Sequence, residues 1–293
     1  MLCFPWATLI DLLRKGETVR AQLYIDALRR CFPKTTLVRA TVIQHIYAKD
    51  MLPFFEQLGI TDLFWSHATK SDIVIGKLRI HPFPLYPVCC ADRPTEYWLP
   101  PDKRHYLYSF IGAYEPGLYL SEARCWIFEL PTRNDISVAR RGEWHFENAV
   151  YREQIGAVPQ SEKALLAERG RVDEYMQVLE QSVFSLCPSG SGPNSIRLWE
   201  SLGMGTIPVI ISDSHRLPGE YLQWADAVIF VDESKEAVDA LPARLEQIRN
   251  SLNEVDRRQH LLRDLWNRHG LSPEQDISDT LAKTLNAITK RSV

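Results

Sequence analysis

Short apolar runs broken by polar turns dominate the first eighty residues. LVRATVIQHI, starting near residue 38, and DLFWSHA (62–68) are strand-like, and KDMLPFFEQLGI between them has helical spacing, so strand, helix and strand are predicted in that order. The N-terminal run MLCFPWATLIDLLRKGE is interrupted by Asp11 and has neither a basic leader nor a small-residue cleavage site, so it is read as a strand or helix of the fold. After SDIVIGKLRI, residues 81–102 hold six of the eighteen prolines, and regular structure is expected to break there. Alternation resumes with a strand YLYSFI (106–111) ending at Gly112, a helix-like LYLSEARCWIFEL, a helix from about Val172 to Gln181 and a strand VFSLC. A Gly/Ser turn, a helix SIRLWESLG, a strand TIPVIIS and a short strand AVIFV follow, and from about Lys235 the pattern is helical to the end. Repeated strand–helix units predict an α/β protein of two domains, residues 1–102 and 103–293, and the chain is long enough for two lobes with a cleft between them. No internal repeat or low-complexity tract interrupts this pattern.

Composition narrows the picture. With 293 residues, 45% hydrophobic and 24% charged, the chain has enough apolar material for two cores. A net charge of -3 and a pI near 6.3 argue against a general nucleic-acid binder. No run of about 18 uncharged apolar residues occurs, so a cytoplasmic protein is expected, with at most peripheral contact at the inner membrane face. Arg257, Arg258, Arg263 and Arg268 would make that contact if they do not simply form a solvated helix face. The six cysteines show no CxxC pair or metal-ligand spacing and are expected to be reduced core thiols.

The chemistry concentrates in Phe184–Asp213, FSLCPSGSGPNSIRLWESLGMGTIPVIISD. A strand running into PSGSGPNS and then a helix puts a Gly/Ser loop at the C-terminal end of a parallel strand, where open α/β sheets bind ligands. Gly190 and Gly192 would let backbone approach a ligand closely. Asn194 or Ser195 is a suitable N-cap. The helix N-terminus suits a nucleotide-sugar diphosphate. The loop matches neither the P-loop nor the complete GxGxxG pattern. Arg197 and Glu200 share a helical face: either they form an exposed ion pair, or Arg197 meets phosphate and Glu200 the ribose hydroxyls.

The run CPSGSGPNSIRLWESLGMGTIPVIISDSHRLP resembles the signature of the exostosin family of glycosyltransferases, in which C-P-x-G, S-x-R-L-x-E and G-x-I-P-V-I-x-S-D-x-x-x-L-P recur in order. FIGAYEPGLYLSEAR (110–124) and QWADAVIFV resemble flanking stretches of the same family more loosely. The resemblance covers about residues 104–235. It implies a GT-B fold, two Rossmann-like domains facing across a cleft, with the donor held mainly by the C-terminal domain through Ser195, Arg197 and Glu200, and Arg124 as a diphosphate partner. The first part of the chain is shorter than in animal exostosins, so no acceptor carries over.

An Asp-x-Asp pair, the metal-holding feature usual in the GT-A class, is missing from the sequence, and a metal-independent enzyme with no cofactor beyond its donor is expected. Inverting transfer needs a base for the acceptor hydroxyl. His67, Asp72, His81 and Glu115 are candidates; His67 and Glu115, each after a predicted strand, are best placed. Asp213 either meets the donor sugar or caps its loop, and His145 is read as a packed surface residue. Trp65, Trp144, Trp199 and Trp224 either stack on sugars or, more commonly for tryptophan, fill cores. The expected function is transfer of sugar from a nucleotide donor to a glycan acceptor, a surface polysaccharide or lipid-linked oligosaccharide. The alternative is a catalytically silent nucleotide-sugar-binding partner subunit.

Overall fold

Parallel strands covered on both faces require unbroken apolar runs, and here such runs build two separate sheets. The computed structural model describes residues 1–30, 38–91, 93–142 and 161–291. In the first lobe β1 (Ala40–Ile43), β2 (Asp62–Trp65) and β4 (Leu78–Pro82) are parallel, and β3 (Val74–Ile75) pairs antiparallel with β4, in the order β1-β2-β4-β3. Helices α1 (Trp6–Arg14), α2 (Thr18–Arg30) and α3 (Leu52–Gln57) belong to this lobe, and the Trp6 and Phe55 rings meet edge to face at 5.0 Å. The N-terminal run supplies both structures its pattern allowed, since Leu2 bridges to Thr41 before α1 begins.

The second lobe has five parallel strands, β5 (Tyr106–Gly112), β6 (Ile136–Arg140), β7 (Ser182–Pro188), β8 (Ile207–Ile211) and β9 (Ile229–Val231), in the order β6-β5-β7-β8-β9. Strand order reverses between β5 and β7, which makes their C-terminal ends the switch point where such sheets bind ligands. The accompanying helices are α4 (Ala123–Phe128), α5 (Glu162–Glu180), α6 (Ile196–Gly203), α7 (Tyr221–Ala227), α8 (Lys235–Asp239), α9 (Leu241–Arg249) and α10 (Leu252–Leu265). The run LYLSEARCWIFEL forms less helix than its spacing predicts, because its first residues lie in turns and Leu118 N–H bonds Glu115 O at 3.2 Å. α5 instead starts ten residues before the predicted Val172. None of the described helices is long and apolar enough to cross a membrane.

The proline-rich stretch is a strap rather than a free linker. Trp98 donates from Nε1 to Gly203 O at 2.8 Å, and its ring lies so close to Gly205 that an added Cβ would sit 2.7 Å from Cγ. Gly205 also has φ of +63°, a conformation that favours glycine where the chain leaves α6. Arg104, 3% exposed, gathers Leu99 O, Ser182 O, Thr206 Oγ1 and Met204 O at 2.8 to 3.0 Å, tying the strap to the starts of β7 and β8. After a π-helical turn at Trp266–Leu271, α11 (Pro273–Arg291) returns to the first lobe, where Ile277 packs with Ala40, Phe64 and Phe83. A division at 102/103 therefore separates the two sheets but not the helices.

The lobes meet where the C-terminal ends of their strands face one another. Asn194 Nδ2 donates to Ser66 O at 2.7 Å, Lys70 N–H to Ser214 O at 2.9 Å and Arg216 N–H to Ala68 O at 3.1 Å. Gly192 abuts the first lobe: an added Cβ would collide with His67 Nδ1 and stand 2.7 Å from Ile46 Cγ2. Gly192→Ala is expected to destabilise the protein by about 1–3 kcal/mol through this overpacking, and His67→Ala should relieve part of the loss. Urea midpoints of the two single variants and the double variant test this, and equal losses with and without His67 would contradict it.

His67 and His215 lie together in the seam, 7% and 5% exposed, and no hydrogen bond reaches His67 Nδ1 or His215 Nε2 among the described residues. Burial, then the charge of His45, lowers His67 from 6.5 to about 3. Burial, then His67 and Lys70, lowers His215 equally, to about 3. The unfolded chain therefore takes up protons first as the pH falls. The contribution of the two neutral rings is complete above pH 6.5 and is lost progressively towards pH 3. We expect stability to fall between about pH 6.5 and 5 by up to roughly 1.4 kcal/mol per pH unit for each ring, and the slope to lessen in His67→Gln. Thermal melts across this range measure both slopes.

Candidate functional site

The switch point between β5 and β7 brings two arginines together. Arg124 comes from α4, Arg197 from the first turn of α6, and both are over nine-tenths buried. Arg124 donates from Nε to Ser189 O at 3.2 Å and from Nη1 to Ala113 O at 3.1 Å, while Arg197 Nη2 donates to Ile111 O. A Cβ placed on Gly112 would lie 3.3 Å from both guanidinium groups, which shows how closely they converge. Aromatic faces line them: Arg197 lies 4.4 Å from the centroid of Phe110, and Arg124 4.2 Å from that of Tyr119. Burial, then the neighbouring charge of Arg197, lowers the Arg124 guanidinium to about 10. Neither arginine has a carboxylate partner among the described residues, and Arg197 Nε is buried without any hydrogen bond.

Arg197 and Glu200 do not form the exposed ion pair that their spacing allowed. Both are buried, and Glu200 Oε2 accepts from Tyr175 Oη of α5 at 2.7 Å. Burial and then the Glu200 charge raise the Tyr175 hydroxyl well above its ordinary value. Tyr175 was not singled out from sequence, because a tyrosine on a mixed helix twenty-five residues upstream carries no local signal.

The loop from Ser189 to Ser195 is organised differently from what its glycines suggest. Gly190 N–H closes onto Gly192 O at 2.9 Å, and Gly190 faces Arg124, with Nη2 3.8 Å from the position of an added Cβ. Gly192 answers the close approach of the first lobe, so its missing side chain is explained by His67 and Ile46 rather than by a ligand. Ser195 occupies the N-cap position of α6 but makes no side-chain cap bond. Asn194 holds the seam, with Oδ1 accepting from Trp199 Nε1 at 2.9 Å and Nδ2 donating across to Ser66 O.

Asp213 does not cap the loop that follows it: its Oδ1 accepts from the backbone N–H of Glu233, in the turn after β9, at 3.1 Å. Glu233, which follows β9, was missed. Its Oε1 accepts from Ser121 Oγ at 2.6 Å and from Ser189 Oγ, placing a carboxylate beside the carbonyl that holds Arg124.

The candidate bases divide. His67 is buried against Gly192, and a ring lowered to about 3 is a poor proton acceptor near neutrality. His81 and Arg79 both bind Asp62, at 2.8 and 2.5 Å, and Asp72 takes Thr69 and Lys49, so these are structural groups. Glu115 is exposed in the loop after β5, on the same lobe as the arginines. Trp65, Trp199 and Trp224 fill cores, whereas Trp144 and His145 lie outside the described residues. The described cysteines, Cys3, Cys89, Cys90, Cys125 and Cys187, are free, and Cys31 lies outside them. Arg257 and Arg268 are engaged in ion pairs on the final helices. No cluster of three or more metal-ligating side chains occurs among the described residues.

Residues 69–248 match the exostosin GT47 domain. The Arabidopsis thaliana protein described as probable glucuronoxylan glucuronosyltransferase IRX7 is 33% identical over 132 residues, 43% of this chain and 29% of that protein. Another from that plant, described as probable beta-1,4-xylosyltransferase IRX10L, is 43% identical over 60 residues, 20% of this chain and 14% of the other. The chain thus aligns with less than a third of each relative's length. Among solved structures, an alpha-glucosyltransferase in complex with UDP and DNA aligns at 12% identity with a TM-score of 0.47, covering 84% of this chain and 70% of that one. Because the domain match takes in well over half of the chain, with both arginines, Glu200 and the loop between β7 and α6 inside it, the protein belongs to the exostosin GT47 family.

Proposed function

We propose that this chain is a glycosyltransferase that takes sugar from a nucleotide donor and passes it to a glycan acceptor, with inversion and without a metal. The observation that carries the reading is the convergence of Arg124 and Arg197 at Gly112, buried and without a carboxylate. Two like charges held this way are unfavourable in isolation, and an anion relieves them. The first turn of α6, lacking a side-chain cap, points its N–H groups to the same end of the sheet. A diphosphate fits this arrangement, with Glu200 and Tyr175 on the α5 side for the ribose hydroxyls.

In the reaction, the acceptor oxygen attacks the anomeric carbon from the face opposite the nucleotide. Its proton passes to a base as the bond from the anomeric carbon to the diphosphate breaks. Charge builds on the leaving diphosphate, where fixed cations and backbone dipoles act most strongly. The arginines supply there what a divalent metal supplies elsewhere.

A silent nucleotide-sugar binder is the second reading, favoured by the burial of His67 and the exposure of Glu115. Two measurements separate the readings. Thermal shift against UDP, GDP, CMP and dTDP is expected to show stabilisation by at least one nucleotide, following RT ln(1 + [L]/Kd). Turnover of the matching sugar donor then distinguishes enzyme from silent binder. Arg124→Met and Arg197→Met should abolish nucleotide stabilisation while leaving the unliganded melting temperature unchanged or higher, since each removes one of two repelling buried charges. Retained nucleotide binding in both variants would sink the donor-site assignment.

A further inference from the structure

The loop that carries the chain from β5 to α4 is shaped by its own sequence. In Glu115-Pro116-Gly117-Leu118, Leu118 N–H returns to Glu115 O at 3.2 Å and Gly117 has φ of +79°. This is the arrangement of a type II turn, in which proline suits the second place and glycine the third. The turn folds its flanking residues back on each other, so that the rings of Tyr114 and Tyr119 stack with centroids 6.1 Å apart. The loop is fastened on both sides of the pair. Tyr114 O accepts from Arg140 Nη2 at 3.1 Å, and Leu120 N–H donates to Gly190 O at 3.0 Å, in the loop between β7 and α6.

Tyr119 is thereby set against the arginine pair. Arg124 lies 4.2 Å from its ring centroid, and the charges of both Arg124 and Arg197 act on its hydroxyl. Tyr119 is half-buried, and that hydroxyl makes no hydrogen bond among the described residues. Glu115 also acts on it, from an exposed position in the turn, and Glu233 is taken up by Ser121 and Ser189. Burial raises the phenol above its ordinary value against the pull of the two arginines, so it remains a donor near neutrality. We infer that the Tyr119 hydroxyl is a third donor to the diphosphate, beside the two guanidinium groups; this deepens the donor site proposed above and rests on it. The Nε of Arg197, buried and without a partner, is an independent sign that an acceptor is received here. The ring itself is taken up by Arg124 and Tyr114, so the hydroxyl is what it has left to offer, rather than a stacking face for the base. Held in advance by the turn, it adds a charge-assisted hydrogen bond at little ordering cost.

Calorimetric titration of the full chain with inorganic pyrophosphate, which reads the anion site without base or sugar, tests the inference. Tyr119→Phe keeps the ring for Arg124 and Tyr114 and removes only the hydroxyl. It is expected to weaken pyrophosphate binding about tenfold. Its melting temperature without ligand should equal that of the wild type, since the hydroxyl has no partner among the described residues. Wild-type affinity in Tyr119→Phe would overturn the inference while leaving the donor site standing. A melting temperature several degrees lower would assign the hydroxyl to the fold and overturn it as well. Arg197→Met is expected to abolish pyrophosphate binding. If that variant binds as the wild type does, or if the wild type binds no pyrophosphate, the donor site and the inference fall together.

Discussion

The short loop between β7 and α6 has to satisfy three neighbours at once, and most of the molecule is arranged around that requirement. Its first residue gives a carbonyl to Arg124 and a hydroxyl to Glu233. Its middle, at Gly192, lies against the first lobe, and Asn194 bonds across to Ser66. Its last residue starts α6, which brings Arg197 back beneath β5. Moving any of these contacts shifts the other two, so the arginine pair and the junction between lobes form one mechanical unit.

This coupling explains why the arginines stay put without counter-ions. Backbone carbonyls at Ile111, Ala113 and Ser189, together with the faces of Phe110 and Tyr119, hold the guanidinium groups in position without neutralising them. Their charge is what the proposed donor diphosphate would meet. Deeper in the same lobe, Arg104 shows the other use of a buried arginine: four acceptors consume its donors, and it serves as a fastening.

The second sheet was legible because β5, β7 and β8 are covered on both faces and read as continuous apolar runs. The hairpin of β3 and β4 was not, since a two-residue strand leaves no periodicity to detect. Arg197 and Glu200 could be picked out from their shared helical face, and Arg124 only through the looser resemblance of residues 110–124 to the exostosin pattern. Contacts between distant residues could not: that Gly192 answers to His67 depends on how the lobes dock, and sequence alone offered ligand approach as the reason for the glycine. His67 stood out for its place after a strand; its burial in the seam, which lowers its proton affinity, depends on how the lobes dock and leaves no mark in the sequence. Glu233 sits in an ordinary acidic turn and became visible only through its serine partners.

The return of α11 to the first lobe bears on how the protein is made. The β-sheet face at Ala40 and Phe64 leaves the ribosome early, but Ile277, which covers it, follows roughly 190 residues after Phe83. At about 5–20 residues per second, that apolar face waits on the order of ten seconds or more for its cover, and the nascent first lobe is a natural client for a chaperone through that interval.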